Sequence, residues 1–157
     1  MFPSTGSSCF KCPVSVLVVI HTTDLQVLLL ERADHPGYWQ SVTGSQEPGE
    51  TLLQTAAREI KEETGLERVN DRLFDWQTSH QYEIFPEWRW RYAPDVTHNT
   101  EHVFSLRLPE KCPIDIAARE HIGYCWLPWE EAEQKVFSPS NAQAIRMIAA
   151  RHASSDQ

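Results

Sequence analysis

From position 51 onward, Leu52, Leu53, Ala56, Ala57 and Ile60 fall at helical spacing, while Glu59, Glu62 and Glu63 take another face. The pattern predicts an amphipathic helix of about four turns. Its start is marked by Pro48-Gly49-Glu50, with an acid near the positive end of the helix dipole; Gly65 is placed to take the left-handed conformation that ends it. The three glutamates stand at i, i+3 and i+4, so their carboxylates converge and repel one another. One reading is a solvated acidic face relieved by Arg58 and Lys61. The context favours another, because a glycine-bearing loop leads straight into the helix, with Gly44 after a strand-like run, Gly49 before the helix and Glu50 at the junction. A hard cation such as Mg²⁺ takes oxygen ligands, which helix carboxylates beside a flexible loop can supply.

Strands are predicted around that helix. Residues 14–20 and 25–31 are β-branched or leucine-rich runs joined by a turn at 21–24, and 38–43 returns to strand-like composition. Further strands are expected at 73–85, 103–108 and 121–127, with a short helix at 128–135 and a final helix at 141–150. The aromatic and basic segment 88–101 is expected to be a functional loop, and residues 1–8 and 153–157 to fray. Strands mixed with a few helices predict one α/β layered domain over residues 1–157, with a core at about 11–150.

Fourteen Lys and Arg against 22 Asp and Glu give a net charge of -8, which repels a phosphate backbone and argues against nucleic acid as partner. Bound cations can still reconcile an acidic protein with a small phosphorylated substrate. No apolar run approaches the roughly 18 residues of a membrane span, and residues 1–11 lack the ordered parts of a secretory signal, so a cytoplasmic protein is expected. Cys9 and Cys12 have the close spacing of a zinc knuckle or redox pair, but Cys112 and Cys125 form no second close pair, which favours reduced thiols.

Gly44, Glu50, Arg58, Glu59, Ile60, Glu62, Glu63, Gly65 and Leu66 satisfy, with every spacing kept, the signature of the Nudix hydrolase family, which this chain resembles. The resemblance implies a sandwich of a mixed β-sheet flanked by helices, and metal-dependent cleavage of a phosphoanhydride bond, with Mg²⁺ as cofactor and Mn²⁺ as a substitute. It implies Glu59 and Glu63 as metal ligands and Glu62 as a further ligand or water-orienting base. Arg58 is expected to pair with Glu50 to brace the loop. The base stays open among Glu59, Glu62 and Glu120.

Residues 13–20, 38–45 and 91–101 further resemble the branch of that family that removes pyrophosphate from dihydroneopterin triphosphate in bacterial folate synthesis. This likeness carries substrate contacts to Lys11, Arg32, Thr43, Tyr82, Glu83, Ile84, Phe85 and Ser138, and a third metal carboxylate to Glu120. Lys11 and Arg32 can offset triphosphate charge, and Tyr82 and Phe85 can offer faces to a flat pterin. Read without the family, Tyr82 and Phe85 are core or sheet-face residues and Glu120 a surface acid. Cys12 stands where that branch has a basic residue, leaving Lys11 as the nearby cation. Trp88-Arg89-Trp90-Arg91-Tyr92 reads as a stacking platform for nucleic acid or, in an acidic protein, as a loop capping the site with Arg89 or Arg91 near phosphate. The rival readings are an enzyme of ordinary or modified nucleoside triphosphates and a noncatalytic nucleotide-binding module. The expected assembly is a monomer or weak homodimer.

Overall fold

A computed structural model describes residues 10–155, with side chains to His152. The run after Pro13 forms β1 (Val14–Thr22), buried at every position from Ser15 to Thr22. A strand buried on both faces sits inside a sheet with layers on both sides. β1 pairs antiparallel with β2 (Gln26–Arg32) and β4 (Val42–Ser45), and parallel with β6 (His98–Leu108). β3 (Trp39–Gln40) and β7 (His121–Pro128) pair with β2, and β5 (Leu73–Glu83) with β6, giving a mixed seven-stranded sheet.

Successive side chains of β1 point to opposite faces. Val16, Val18 and Ile20 join Leu28, Leu30, Phe104 and Leu106 against Ala56 and Ile60 of α1 (Leu52–Thr64). Leu17 and Val19 join Leu29 and Val103 against Ala132 of α2 (Trp129–Lys135) and Ala144, Ile145 and Ile148 of α3 (Pro139–Ser155). The expected mixed sheet flanked by helices is therefore present. Among the described residues no helix is long and apolar enough to cross a membrane. Cys12, Cys112 and Cys125 are free thiols, and Cys9 lies outside the described residues.

Several local expectations are corrected. The segment 88–101 is not one loop: a 3₁₀ turn (Pro86–Arg91) is followed by β6 from His98, five residues earlier than its hydrophobic run at 103 suggests. Residues 98–102 are polar, yet the backbone of Thr100 and Glu101 pairs with Val14 and Ser15. β5 stops at Glu83 because Pro86, with no N–H, opens the next turn. The strand expected at 38–43 breaks at Ser41, whose N–H donates to Asn141 Oδ1 (2.8 Å). No acid occupies the first turn of α1; its cap is Thr51, which exchanges hydrogen bonds with Gln54 in a capping box. Gly65 ends the helix as expected, with φ of 80° and its N–H donating to Lys61 O.

Candidate active site

Gly44 lies in β4 opposite Val16, on the α1 side of the sheet. Glycine is required there by close approach: a Cβ would fall 2.0 Å from both Cδ and Oε2 of Glu59. The helix carboxylate thus rests on bare strand backbone. One turn on, Glu63 is 2% exposed, and Glu59 only 8%. Burial pushes both carboxyls above the usual range, and the neighbouring Glu59 and then Glu120 add to the rise at Glu63. Two buried acids so close do not both ionise without a positive charge between them.

Among the described residues nothing supplies that charge to Glu63. Its Oε1 is buried without a hydrogen-bond partner. His121 Nε2 lies 3.7 Å away, beyond hydrogen-bond reach, and burial holds that imidazole down at about 4, so it is neutral near pH 7. The pair therefore fits a hard divalent cation, which would replace the shared proton and satisfy the orphaned oxygen. Glu120 shares the cavity with Glu63 and is the third carboxylate that could join them. Among the described residues no three His, Cys, Asp or Glu groups already surround one point.

Arg58 organises the loop. Its Nε and Nη2 donate to the two Glu50 oxygens (2.6 and 3.0 Å), Nη2 also to Ser45 O (3.0 Å), and Nη1 to Glu59 Oε2 (3.0 Å). The guanidinium holds the Glu50 carboxyl down at about 2. The expected brace between Arg58 and Glu50 is present. Glu62 also turns to Arg58 Nη1 (3.2 Å), is half exposed, and does not line the cavity.

That cavity holds about 540 Å³ and is walled by Lys11, Arg32 and Thr43 as well as Glu63 and Glu120. Burial and the adjacent Arg91 lower Lys11, while Glu59 and Glu120 oppose them, so the ammonium stands between cations and carboxylates. Arg32 is fixed by Asp34 (2.7 Å) and Gln40 (2.9 Å), with its guanidinium carbon 4.4 Å from the centre of the Trp88 ring. Tyr82, Glu83, Ile84, Phe85 and Ser138 all reach the same cavity. Glu83 is partly engaged by Arg89 (2.5 Å), and Ser138 Oγ accepts from the Asn141 N–H (3.1 Å) in the first turn of α3. Arg91 lines the cavity and Arg89 does not.

Sequence reading offered Phe85 and the Trp88 loop but missed Phe137, Asn99 and Glu101 as parts of the wall. Phe85 stacks on Trp88 (5.2 Å between ring centres), and Phe137 meets both edge-on at 6.1 Å. Asn99 and Glu101 line the cavity from β6. The available signal was two polar residues two apart heading an apolar run, the pattern of a strand whose polar end faces a site.

The NUDIX domain family model matches residues 11–148. Dihydroneopterin triphosphate diphosphatase of Escherichia coli (strain K12) is 47% identical over 142 residues, covering 88% of this chain and 93% of that protein. The enzyme of the same name from Haemophilus influenzae is 44% identical over 140 residues, 87% of either chain. The structure of the Escherichia coli dihydroneopterin triphosphate pyrophosphohydrolase matches with a TM-score of 0.83 at 48% identity, covering 88% of this chain and 95% of that one. Nudix hydrolases generally need a divalent metal, which agrees with the close, buried Glu59 and Glu63 carboxylates. Fold, signature helix and a match over nearly the whole described length agree, and the chain belongs to the NUDIX hydrolase family.

Proposed function

We propose that this protein is a metal-dependent diphosphatase that hydrolyses dihydroneopterin triphosphate to dihydroneopterin monophosphate and pyrophosphate, a step of folate biosynthesis. The observation that carries the reading is one cavity that joins buried acids to cations and an aromatic wall. The 47% identity to a dihydroneopterin triphosphate diphosphatase over most of both chains supports the choice of substrate.

In this reading Glu59, Glu63 and Glu120 would hold Mg²⁺, with Mn²⁺ as a substitute. When bound there, the cation would supply charge neutralisation at the phosphates and a more acidic water. The chain's own residues do the rest. Lys11, Arg32 and Arg91 meet phosphate oxygens, and Thr43 and Ser138 offer hydroxyls beside them. Phe85 and Trp88 cover a flat ring, and the wall they form excludes water from it. Glu62 stays on Arg58, so in this reading the metal-holding carboxylates Glu59, Glu63 and Glu120 would orient the attacking water. Hydrolysis breaks the bond between the first and second phosphates and needs no covalent intermediate.

The test is steady-state kcat/KM with Mg²⁺ for dihydroneopterin triphosphate beside a panel of nucleoside triphosphates, with pyrophosphate and orthophosphate detected separately. Pterin preference with pyrophosphate release is expected. A nucleotide preference would replace the substrate while keeping the chemistry, and no metal-dependent turnover of any of them would leave a binding module.

A further inference from the structure

Asn99 and Glu101 stand two apart on β6 and therefore face one side of the sheet, where both line the cavity. Across the neighbouring strands Glu101 is opposite Ser15 and His80, and Asn99 opposite Tyr82. Both side chains are deeply buried, with Asn99 1% and Glu101 5% exposed. Asn99 Nδ2 donates to Ser15 Oγ (2.8 Å) and Tyr82 Oη (3.1 Å), which leaves Asn99 Oδ1 buried with no partner. Glu101 Oε1 accepts from Ser140 Oγ (3.0 Å), the one group that favours its ionised form. Burial accordingly pushes the Glu101 carboxyl up to about 7.

The fold gains little from this arrangement. A buried acid without a cation and an amide oxygen without a donor both disfavour folding, and glutamine could accept from Ser140 equally well. What the two side chains share is chemical: side by side on a cavity wall, Asn99 presents an acceptor without a donor and Glu101 a buried carboxylate whose Oε1 accepts from Ser140. The matching ligand edge is two adjacent N–H groups, which a carboxylate takes through two parallel hydrogen bonds. The ring N–H and exocyclic amino group of a 2-amino-4-oxopyrimidine form such an edge, and a pterin and a guanine both carry it.

We propose that Glu101, with Asn99 beside it, is the specificity-determining group that recognises the N–H edge of a 2-amino-4-oxopyrimidine ring in this cavity. For the pterin itself this rests on the function proposed above; the ring edge does not. Glu101 touches the ring and takes no part in cleaving phosphate.

The experiment compares wild type with Glu101→Gln on two substrate pairs that differ at the 2-amino group. These are dihydroneopterin triphosphate against its 2-oxo analogue, and GTP against inosine triphosphate, with thermal melts of both proteins. Wild type should prefer the 2-amino member by roughly 10- to 100-fold in kcat/KM. In Glu101→Gln most of that preference should vanish, chiefly through KM, because the glutamine amide can set a donor against donors. An unchanged preference overturns the proposal, as does an equal loss on both members of a pair with a lowered melting temperature, the mark of a structural role. If pterin turnover is absent while the guanine preference collapses in the variant, the ring-edge reading stands and the proposed substrate falls. Strong pterin turnover with an unaltered preference keeps the proposed substrate and overturns the ring-edge reading.

Discussion

Replacing Gly44 by alanine tests whether close approach, rather than loop flexibility, is what this position provides. The new Cβ would lie 2.0 Å from Glu59 Cδ, where ordinary contact begins at 3.4 Å, so strand or carboxylate must yield by about 1.4 Å. Two outcomes share that displacement. If the strand yields, overpacking costs about 1–3 kcal/mol, which in a domain of this size lowers Tm by roughly 2–12 °C. If Glu59 rotates away, stability recovers but a proposed cation ligand leaves a site that tolerates only a few tenths of an ångström. Either way a displacement above 1 Å at the reacting centre should lower kcat by about 100-fold or more. The assay is pyrophosphate release at saturating substrate across an Mg²⁺ titration, with melts run in parallel. The metal-activation curve should move to higher concentration along with the fall in kcat. A Gly44→Ala enzyme with wild-type kcat and an unmoved curve would refute the reasoning.

Arg58→Ala removes the partner that holds Glu50 at about 2 against an ordinary 4.5. A depressed carboxylate stabilises the fold above its unfolded value, and the benefit fades as pH falls through its folded value. The stability gap between wild type and Arg58→Ala should therefore be full above about pH 4.5 and close towards pH 2 in denaturant titrations. Glu101 has the opposite sign: with the folded carboxyl at about 7 against 4.5, its penalty is absent below pH 4.5 and complete above 7. Glu101→Gln should gain up to about 3 kcal/mol at pH 8 and nothing at pH 4. Arg91→Ala should raise KM about 10-fold and Arg89→Ala by no more than about 2-fold, since Arg91 alone of the two lines the cavity.

The parts legible in sequence are those whose cause is local. The α1 face of Ala56 and Ile60 repeats at helical period, and the buried run at β1 is long enough to mark a central strand. The signature from Gly44 to Leu66 needs only spacing. Thr51 and Gln54 were legible too, as a capping box that the reading left unused. What escaped depends on contacts between distant segments. The reason for Gly44 lies fifteen positions on, in Glu59. Spacing put Glu62 beside Glu63 but could not show that Arg58 draws it off the cavity. Phe137 reaches Phe85 and Trp88 only through folding, and the polar start of β6 hides a strand because its side chains face a cavity instead of a core.

One cavity brings chemistry and recognition together from different elements of the fold. Register sets Val16 and Gly44 on the α1 side, with Glu59 beneath, and Ser15, Leu17 and Glu101 on the opposite side, while Gly44 and Glu63 line the same cavity as Ser15, Leu17 and Glu101. β4 joins the two sides: the Thr43 hydroxyl donates to Val16 O (2.9 Å), and Ser45 O accepts from Arg58 (3.0 Å). Gly44→Ala acts where the cation is proposed to bind and Glu101→Gln where the ring is proposed to bind, with no hydrogen-bond partner in common. Their effects on kcat/KM should then add within about 0.5 kcal/mol in the double variant. A larger coupling would mean that the ring's seat sets the position of the carboxylates, and that the strand between them transmits strain instead of isolating it.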